Sequence, residues 1–147
     1  MKLIVGGPGS GKTKKMMEIA LEYLSDGKSV HIISCKNSPE EMMHRLRLES
    51  AKLGSSYTPQ WSHNLTVANA ASLGKISMEL IDTNSDVIFV DKTCSFKNSS
   101  FDLEVITAVA SKIEPLVYLT VNIKKELREG IKIIDEGEIS EIADFLV

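Results

Sequence analysis

A chain of 147 residues, 43% apolar and 25% charged, is long enough to bury a real core and has the makeup of one ordinary globular domain, expected to span residues 1–147. A net charge of −3 excludes a generally basic nucleic-acid coat and leaves room only for a local basic patch. Cys35 and Cys94 are too few for a disulfide framework and have no metal-ligand spacing. Without a run of about 18 apolar residues or a signal peptide, the expectation is reduced thiols in a cytoplasmic protein that does not enter a membrane.

Leu3-Ile4-Val5 is a short apolar run that ends in glycines and reads as a buried strand. From Lys12 to about Leu24, Met16, Ile19, Ala20, Tyr23 and Leu24 recur at helical spacing, and Asp26-Gly27 ends that helix. Ser29 to Ser34 reads as a second strand. Ser38-Pro39-Glu40-Glu41 then supplies an N-cap, a proline at the first helical position and a glutamate three residues after the cap. The helix it starts carries Met42, Met43, Leu46 and Leu53. Residues 54 to 63 are loop-like. Leu65-Thr66-Val67 is a strand candidate, and a helix is expected over about 72 to 82. Asp86 to Asp91 is an apolar strand closed by an acid, and residues 92 to 100 form a polar loop. Phe101 to Ile113 reads as a helix and Pro115 to Val121 as a buried strand. The tail holds a strand at Ile131 to Ile134, a turn at Asp135-Glu136-Gly137 and a short helix from about Ser140. Strands that are apolar on both faces alternate with helices, which predicts an α/β three-layer sandwich around a mostly parallel sheet.

Gly6-Gly7-Pro8-Gly9-Ser10-Gly11-Lys12-Thr13 fits G-x-x-x-x-G-K-[ST] without a gap, between the first strand and the first helix. Glycines let backbone N–H groups approach phosphate oxygens, and the helix start offers unpaired donors and a positive dipole end. Lys12 suits the β- and γ-phosphates of ATP or another nucleoside triphosphate, and the Thr13 hydroxyl suits Mg²⁺. Asp91, an acid after a buried strand, suits the second Mg²⁺-organising position; the competing reading is an ordinary strand-ending aspartate. Asp86 starts the same strand and belongs at the far edge.

With these parts in place the chain resembles the RecA superfamily, and most closely the ATPase domain of DnaB-type replicative helicases. Ser34-Cys35-Lys36-Asn37-Ser38-Pro39-Glu40-Glu41-Met42-Met43-His44-Arg45-Leu46 is similar to the helicase stretch S-L-E-M-S-x-E-E-L-x-x-R-L. Val87 to Asp91 looks like the family's second Walker strand. Ile106 to Asn122 resembles the next helix and strand, and this similarity implies sensing roles for Thr120 and Asn122. The tail, Glu126 through Gly130 and Ile139 through Asp144, is a more distant match to D-L-R-E-S-G-x-I-E-Q-D-A-D. The resemblance implies a RecA-like P-loop sheet, ATP and Mg²⁺ as ligands, and a RecA-like ATPase or a second copy of the chain as possible partners.

The sequence departs from the family at the catalytic acids. The helicase glutamate that polarises attacking water corresponds to Lys36, and the glutamate that follows the Walker aspartate in other P-loop ATPases corresponds to Lys92. A charged ammonium cannot accept a proton, so slow or absent hydrolysis is expected; an alignment shifted by a few residues is the competing explanation. No helicase-type N-terminal domain or linker helix precedes the first strand, so processive unwinding by this chain alone is not expected.

RecA-type cores contact single strands through the loops after these two strands, which implies DNA contacts at Lys92, Phe96, Lys97, Lys124, Lys125 and Arg128. A solvated loop and a mixed-charge helix start account for the same residues. Tyr57 and Trp61 suit base stacking or a core or lid role. The alternative enzyme class is a small nucleotide or nucleoside kinase, since thymidine kinases share the order of loop, helix and a strand like Gly27-Lys28-Ser29-Val30. With only Arg45, Arg47 and Arg128, the chain is short of the arginines that such kinases use on two sets of phosphates. A regulatory module that joins or blocks a helicase or recombinase ring is the third reading.

Overall fold

The computed structural model describes residues 1–54, 63–91, 99–124 and 130–141. The apolar runs become strands β1 (Lys2–Gly6), β2 (Val30–Ser34), β3 (Leu65–Asn69), β4 (Val87–Asp91), β5 (Leu116–Asn122) and β6 (Ile131–Asp135). Between them lie helices α1 (Lys12–Ser25), α2 (Pro39–Leu53), α3 (Leu73–Asp82) and α4 (Ser99–Ala110), and a 3₁₀ turn covers Glu136–Glu141. One six-stranded sheet runs in the order β3-β2-β4-β5-β1-β6. Every pairing is parallel except that of β6, which is antiparallel to β1.

Side-chain alternation divides the core between two faces. Leu3, Val5, Ile33, Ile88, Val90, Leu119 and Val121 meet α3 and α4 through Ile76, Leu80, Leu103 and Ile106. Ile4, Val30, Ile32, Val87, Phe89 and Tyr118 meet α1 and α2 through Met16, Met17, Leu21, Met42 and Leu46. The result is the expected three layers. Phe89 stacks on Tyr118 with ring centroids 4.9 Å apart, and Tyr23 of α1 closes the group with its hydroxyl 2.9 Å from that of Tyr118. Burial, reinforced by the Tyr23 hydroxyl, pushes the Tyr118 phenol up. Burying a large apolar side chain contributes about 1.5–3 kcal/mol, so this cluster fixes α1 on the sheet and sets where its first turn lies.

Local signals account for most boundaries. The Ser38 hydroxyl accepts from the Glu41 N–H at 3.2 Å, and Pro39 opens α2. Ser72 caps α3 in the same way, accepting from Lys75 at 3.3 Å. Gly27, with φ of 80°, follows the Asp26 cap of α1. Helix α4 differs from expectation: it already includes Ser99 and stops at Ala110 instead of Ile113. At its end the Ser111 hydroxyl donates to the Ala108 carbonyl at 2.7 Å, and Lys112 N–H bonds Val109 three residues back. This tightened turn leads the chain to Pro115, which cannot continue a helix. The tail is a 3₁₀ turn that begins at Glu136, in place of a helix from Ser140. Cys35 is buried; Cys94 lies outside the described residues, as do Tyr57 and Trp61. Among the described residues no helix is long and apolar enough to cross a membrane.

Candidate nucleotide site

Parallel strands gather their carboxyl ends at one edge, where open α/β sheets place ligands. Here that edge carries Gly6, Ser34, Asn69, Asp91 and Asn122, one from each parallel strand. Gly6 stands opposite Asn122, and Ser34 opposite both Asn69 and Asp91. The loop from Gly6 to Gly11 leaves β1 at this edge and enters α1.

The loop is shaped by close approach and by two left-handed glycines, Gly9 and Gly11. A methyl at Gly6 would collide with the Ser10 hydroxyl and sit 3.0 Å from the Gly130 carbonyl oxygen. Gly11, with φ of 93°, makes the turn into α1 that a side chain would strain. The Ile123 N–H donates to the Gly6 carbonyl at 3.2 Å and ties the loop's entry to the end of β5. Lys12 curls back over the loop: its Nζ donates to the Gly7 carbonyl at 2.7 Å and lies 3.5 Å from Ser10 Oγ. The ammonium is thus held against the loop between Gly7 and Ser10.

Asp91 faces α1 from the end of β4 and is 1% exposed. Its Oδ2 accepts from Thr13 Oγ1 at 2.9 Å, and its Oδ1 accepts from Thr120 Oγ1 at 3.0 Å. Burial pushes this carboxyl up; the hydroxyls of Thr13 and Thr120, then the cations Arg45 and Lys12, oppose that push. Burial pushes Lys12 down, and Asp91 opposes it. A hydroxyl and a carboxylate 2.9 Å apart form an oxygen-only pair of the kind that Mg²⁺ takes alongside phosphate oxygens and waters. Two protein oxygens suit a metal held mainly by its nucleotide. Among the described residues no cluster of three or more His, Cys, Asp or Glu could hold a metal by itself.

The turn between β2 and α2 is the other wall. Cys35 N–H donates to the Asp91 carbonyl at 3.2 Å, and Asn37 N–H donates to Ser34 Oγ at 3.0 Å. Asn69 Nδ2 donates to the carbonyls of Ser34 and Asn37, both at 3.0 Å. Lys36 is exposed within this turn.

The expected residues Gly6, Gly7, Pro8, Gly9, Ser10, Gly11, Lys12, Thr13 and Asp91 therefore converge at one edge. Thr120 is fully buried with its hydroxyl on Asp91, so its place is behind the carboxylate rather than out at the phosphates. Asn122 is half-buried beside Gly6. Of the DNA-contact candidates, Lys124 is exposed just past β5; Lys92, Phe96, Lys97, Lys125 and Arg128 lie outside the described residues. Sequence reasoning missed the clamp by Asn69. The only signal for Asn69 was an asparagine directly after an apolar strand. Asp86, by contrast, sits at the opposite edge as expected, accepting from Ser29 N–H at 2.9 Å and from the Ser29 hydroxyl at 3.1 Å.

No protein-family model and no curated protein matches the sequence. Solved structures match it. A DnaB-like replicative helicase, known together with its interactions with primase, aligns over 84% of this chain and 39% of its own, with a TM-score of 0.56 and 14% identity. A KaiC-like protein from the hyperthermophilic archaeon Pyrococcus horikoshii aligns over 82% of this chain and 61% of its own, with a TM-score of 0.54 and 15% identity. The flagellar accessory protein FlaH from Methanocaldococcus jannaschii aligns over 97% of this chain and 66% of its own, with a TM-score of 0.57 and 16% identity. The chain spans less than two thirds of the length of each of these structures. Sheet order, loop position and these alignments agree that the chain has the RecA-like P-loop NTPase fold.

Proposed function

We propose that the chain is a single cytoplasmic domain that binds ATP, or another nucleoside triphosphate, with Mg²⁺ and hydrolyses it slowly or not at all. Its role on this reading is that of an accessory or regulator of a helicase or recombinase in DNA replication or recombination. Residues Gly6 to Thr13 wrap the phosphates, Lys12 neutralises them, and Thr13 and Asp91 hold Mg²⁺. The metal supplies charge neutralisation along the phosphates. Thr120 keeps the Asp91 carboxylate aimed at Thr13.

One observation carries the reading: a complete Thr13–Asp91 pair stands beside a turn that presents Lys36. Cys35 bonds the Asp91 backbone, so the next residue leaves the sheet next to Asp91. The resembling helicases place their water-polarising glutamate at that position, and a lysine there cannot serve as the base. FlaH, a flagellar accessory protein with this fold, is a precedent for an accessory role. A RecA-like ATPase, a second copy of this chain or single-stranded DNA met through Lys124 and the flanking segments are the partners that this role requires.

The test is calorimetry with Mg-ATP run beside a turnover assay, each with and without single-stranded DNA. The expected result is binding with turnover below about 1 s⁻¹, the low end of ordinary enzymes. DNA-stimulated turnover at motor-like rates would replace the accessory reading with a motor. Phosphate transfer to a nucleoside or its monophosphate would replace it with a kinase.

A further inference from the structure

Position 36 stands in a turn that is held from both sides. β2 lies between β3 and β4 in the sheet, and the turn that leaves its carboxyl end is bonded to each neighbour. Toward β4, Cys35 N–H donates to the Asp91 carbonyl at 3.2 Å. Toward β3, Asn69 Nδ2 donates to the carbonyls of Ser34 and Asn37, both at 3.0 Å. The turn also closes on itself, because Asn37 N–H donates to the Oγ of the buried Ser34 at 3.0 Å. Ser38 then accepts from Glu41 N–H as the cap of α2. Ser34, Cys35, Asn37 and Ser38 are thus all anchored, and Lys36 is the exposed residue between them.

Among these bonds, only those of Asn69 come from a side chain of another element. One amide nitrogen has two hydrogens, so a single short side chain bridges two carbonyls three residues apart; a hydroxyl offers one donor and a carboxylate none. The Ser34 carbonyl also takes the Ala70 N–H at 3.0 Å, so the ladder between β2 and β3 does not depend on the Asn69 amide. What the amide adds is a tie to the far end of the turn, at Asn37. We propose that Asn69 is a positioning residue of the nucleotide site: its amide clamps the backbone on both sides of position 36 and keeps the residue there beside Asp91. With the clamp released, a group at position 36 loses its fixed geometry, and a misplacement of about 1 Å can cost on the order of 10²-fold in rate. The clamp therefore matters most when position 36 carries a group that acts on the nucleotide.

The inference rests on the Mg-ATP reading above, and the experiment separates the two. Two variants remove the clamp: Asn69→Ala, and Asn69→Leu, which nearly keeps the size and loses both donors. Asn69 is exposed at the sheet edge and belongs to neither core cluster, so both variants should still unfold cooperatively. The first readout is hydrogen exchange of the Asn37 N–H. It should speed up about five- to a hundredfold in either variant, the range for two lost neutral hydrogen bonds, while the Ile123 N–H, bonded to the Gly6 carbonyl on the other side of the site, keeps its rate. The second readout is turnover at saturating Mg-ATP, with Lys36 in place and in Lys36→Glu. Removing the clamp should cost about tenfold more in Lys36→Glu than beside the native lysine. That loss should fall on kcat and leave KM within about twofold, because the phosphate loop and the Thr13–Asp91 pair are untouched. Equal losses in both backgrounds, or an unaltered Asn37 exchange, would reduce Asn69 to an edge-strand contact. If the unmodified chain binds no Mg-ATP, the nucleotide reading itself falls, and if Lys36→Glu gains no turnover, the reading of Lys36 falls. In either case the Asn37 exchange still decides whether Asn69 holds the turn.

Discussion

Two aspartates flank the apolar run of β4, Asp86 just before it and Asp91 at its end, and the two live under opposite physics. Asp86, at the amino edge, is fully exposed to solvent and held below the usual carboxylate range by the backbone and hydroxyl of Ser29, with Lys28 helping. Asp91, at the carboxyl edge, is buried and pushed up, even with two hydroxyls and two cations against it. Asp86 staples the start of β4 to the start of β2 and favours the fold. Burial makes the Asp91 carboxyl harder to ionise than a free one. A buried carboxyl with a raised pKa beside a phosphate-type loop is a candidate for a functional group. The same residue type thus meets opposite surroundings at the two ends of β4.

The comparison can be broken most forcefully at the working edge. Lys12→Ala removes the ammonium held over the loop, and one charge-assisted contact to phosphate is worth about 1.5–3 kcal/mol. ATP affinity by calorimetry should fall about ten- to a hundredfold; an unchanged affinity in the folded variant would mean that the loop does not hold phosphate.

Asp91→Asn sharpens the contrast in two ways. It should weaken Mg-ATP binding much more than metal-free ATP binding, whereas an equal effect on both would reduce Asp91 to a strand end. It should also raise the melting temperature at neutral pH. A carboxyl whose folded pKa is raised contributes stability below its unfolded pKa, and that contribution is lost as pH rises through the folded value. Burial outweighs the Thr13 and Thr120 hydroxyls and the attraction to Arg45 and Lys12, so the neutral isostere should relieve the fold of a buried charge. For the same reason Mg-ATP affinity of the unmodified chain should decline on acidification at a pH above the ordinary carboxylate range. A melting temperature that drops in Asp91→Asn would show that the charge favours the fold.

Asp86→Asn should give the smallest effect, with the opposite sign. Its depressed pKa means that its stabilisation is present above the unfolded pKa and lost as pH falls through the folded value. Because the group is fully exposed, the melting temperature should fall only slightly, less than Asp91→Asn raises it, and nucleotide affinity should not move. A clear loss of ATP binding in this variant would dissolve the distinction between the two edges.

Much of this was legible in the sequence because it depends on neighbours along the chain. The phosphate loop, the Ser38-Pro39 helix start and the apolar strands are local patterns, and each formed close to its expected bounds. What depends on strand order was not legible. β5, the last parallel strand in the chain, is inserted between β1 and β4, and only this brings Thr120 behind Asp91. Arg45 is exposed on α2, and the bearing of its charge on Asp91 of β4 follows from strand order, which no local pattern shows. Asn69 acts on carbonyls of another strand. The early end of α4 turned on the Ser111 hydroxyl, which can bond a backbone carbonyl in or out of a helix.

The central claim is that a site built to hold Mg-ATP lacks its general base because Lys36 stands at the end of β2. The most direct test is steady-state ATP turnover of the unmodified chain, Lys36→Glu and Lys92→Glu at saturating Mg-ATP. Positioned bases contribute on the order of 10²–10⁴ in rate. Lys36→Glu should therefore raise turnover well above the unmodified level, by less than that full factor because one restored carboxylate does not rebuild a whole active site, and Lys92→Glu should do less. Turnover of the unmodified chain near or above about 10 s⁻¹, an ordinary enzyme rate, or restoration by Lys92→Glu alone, would contradict the account.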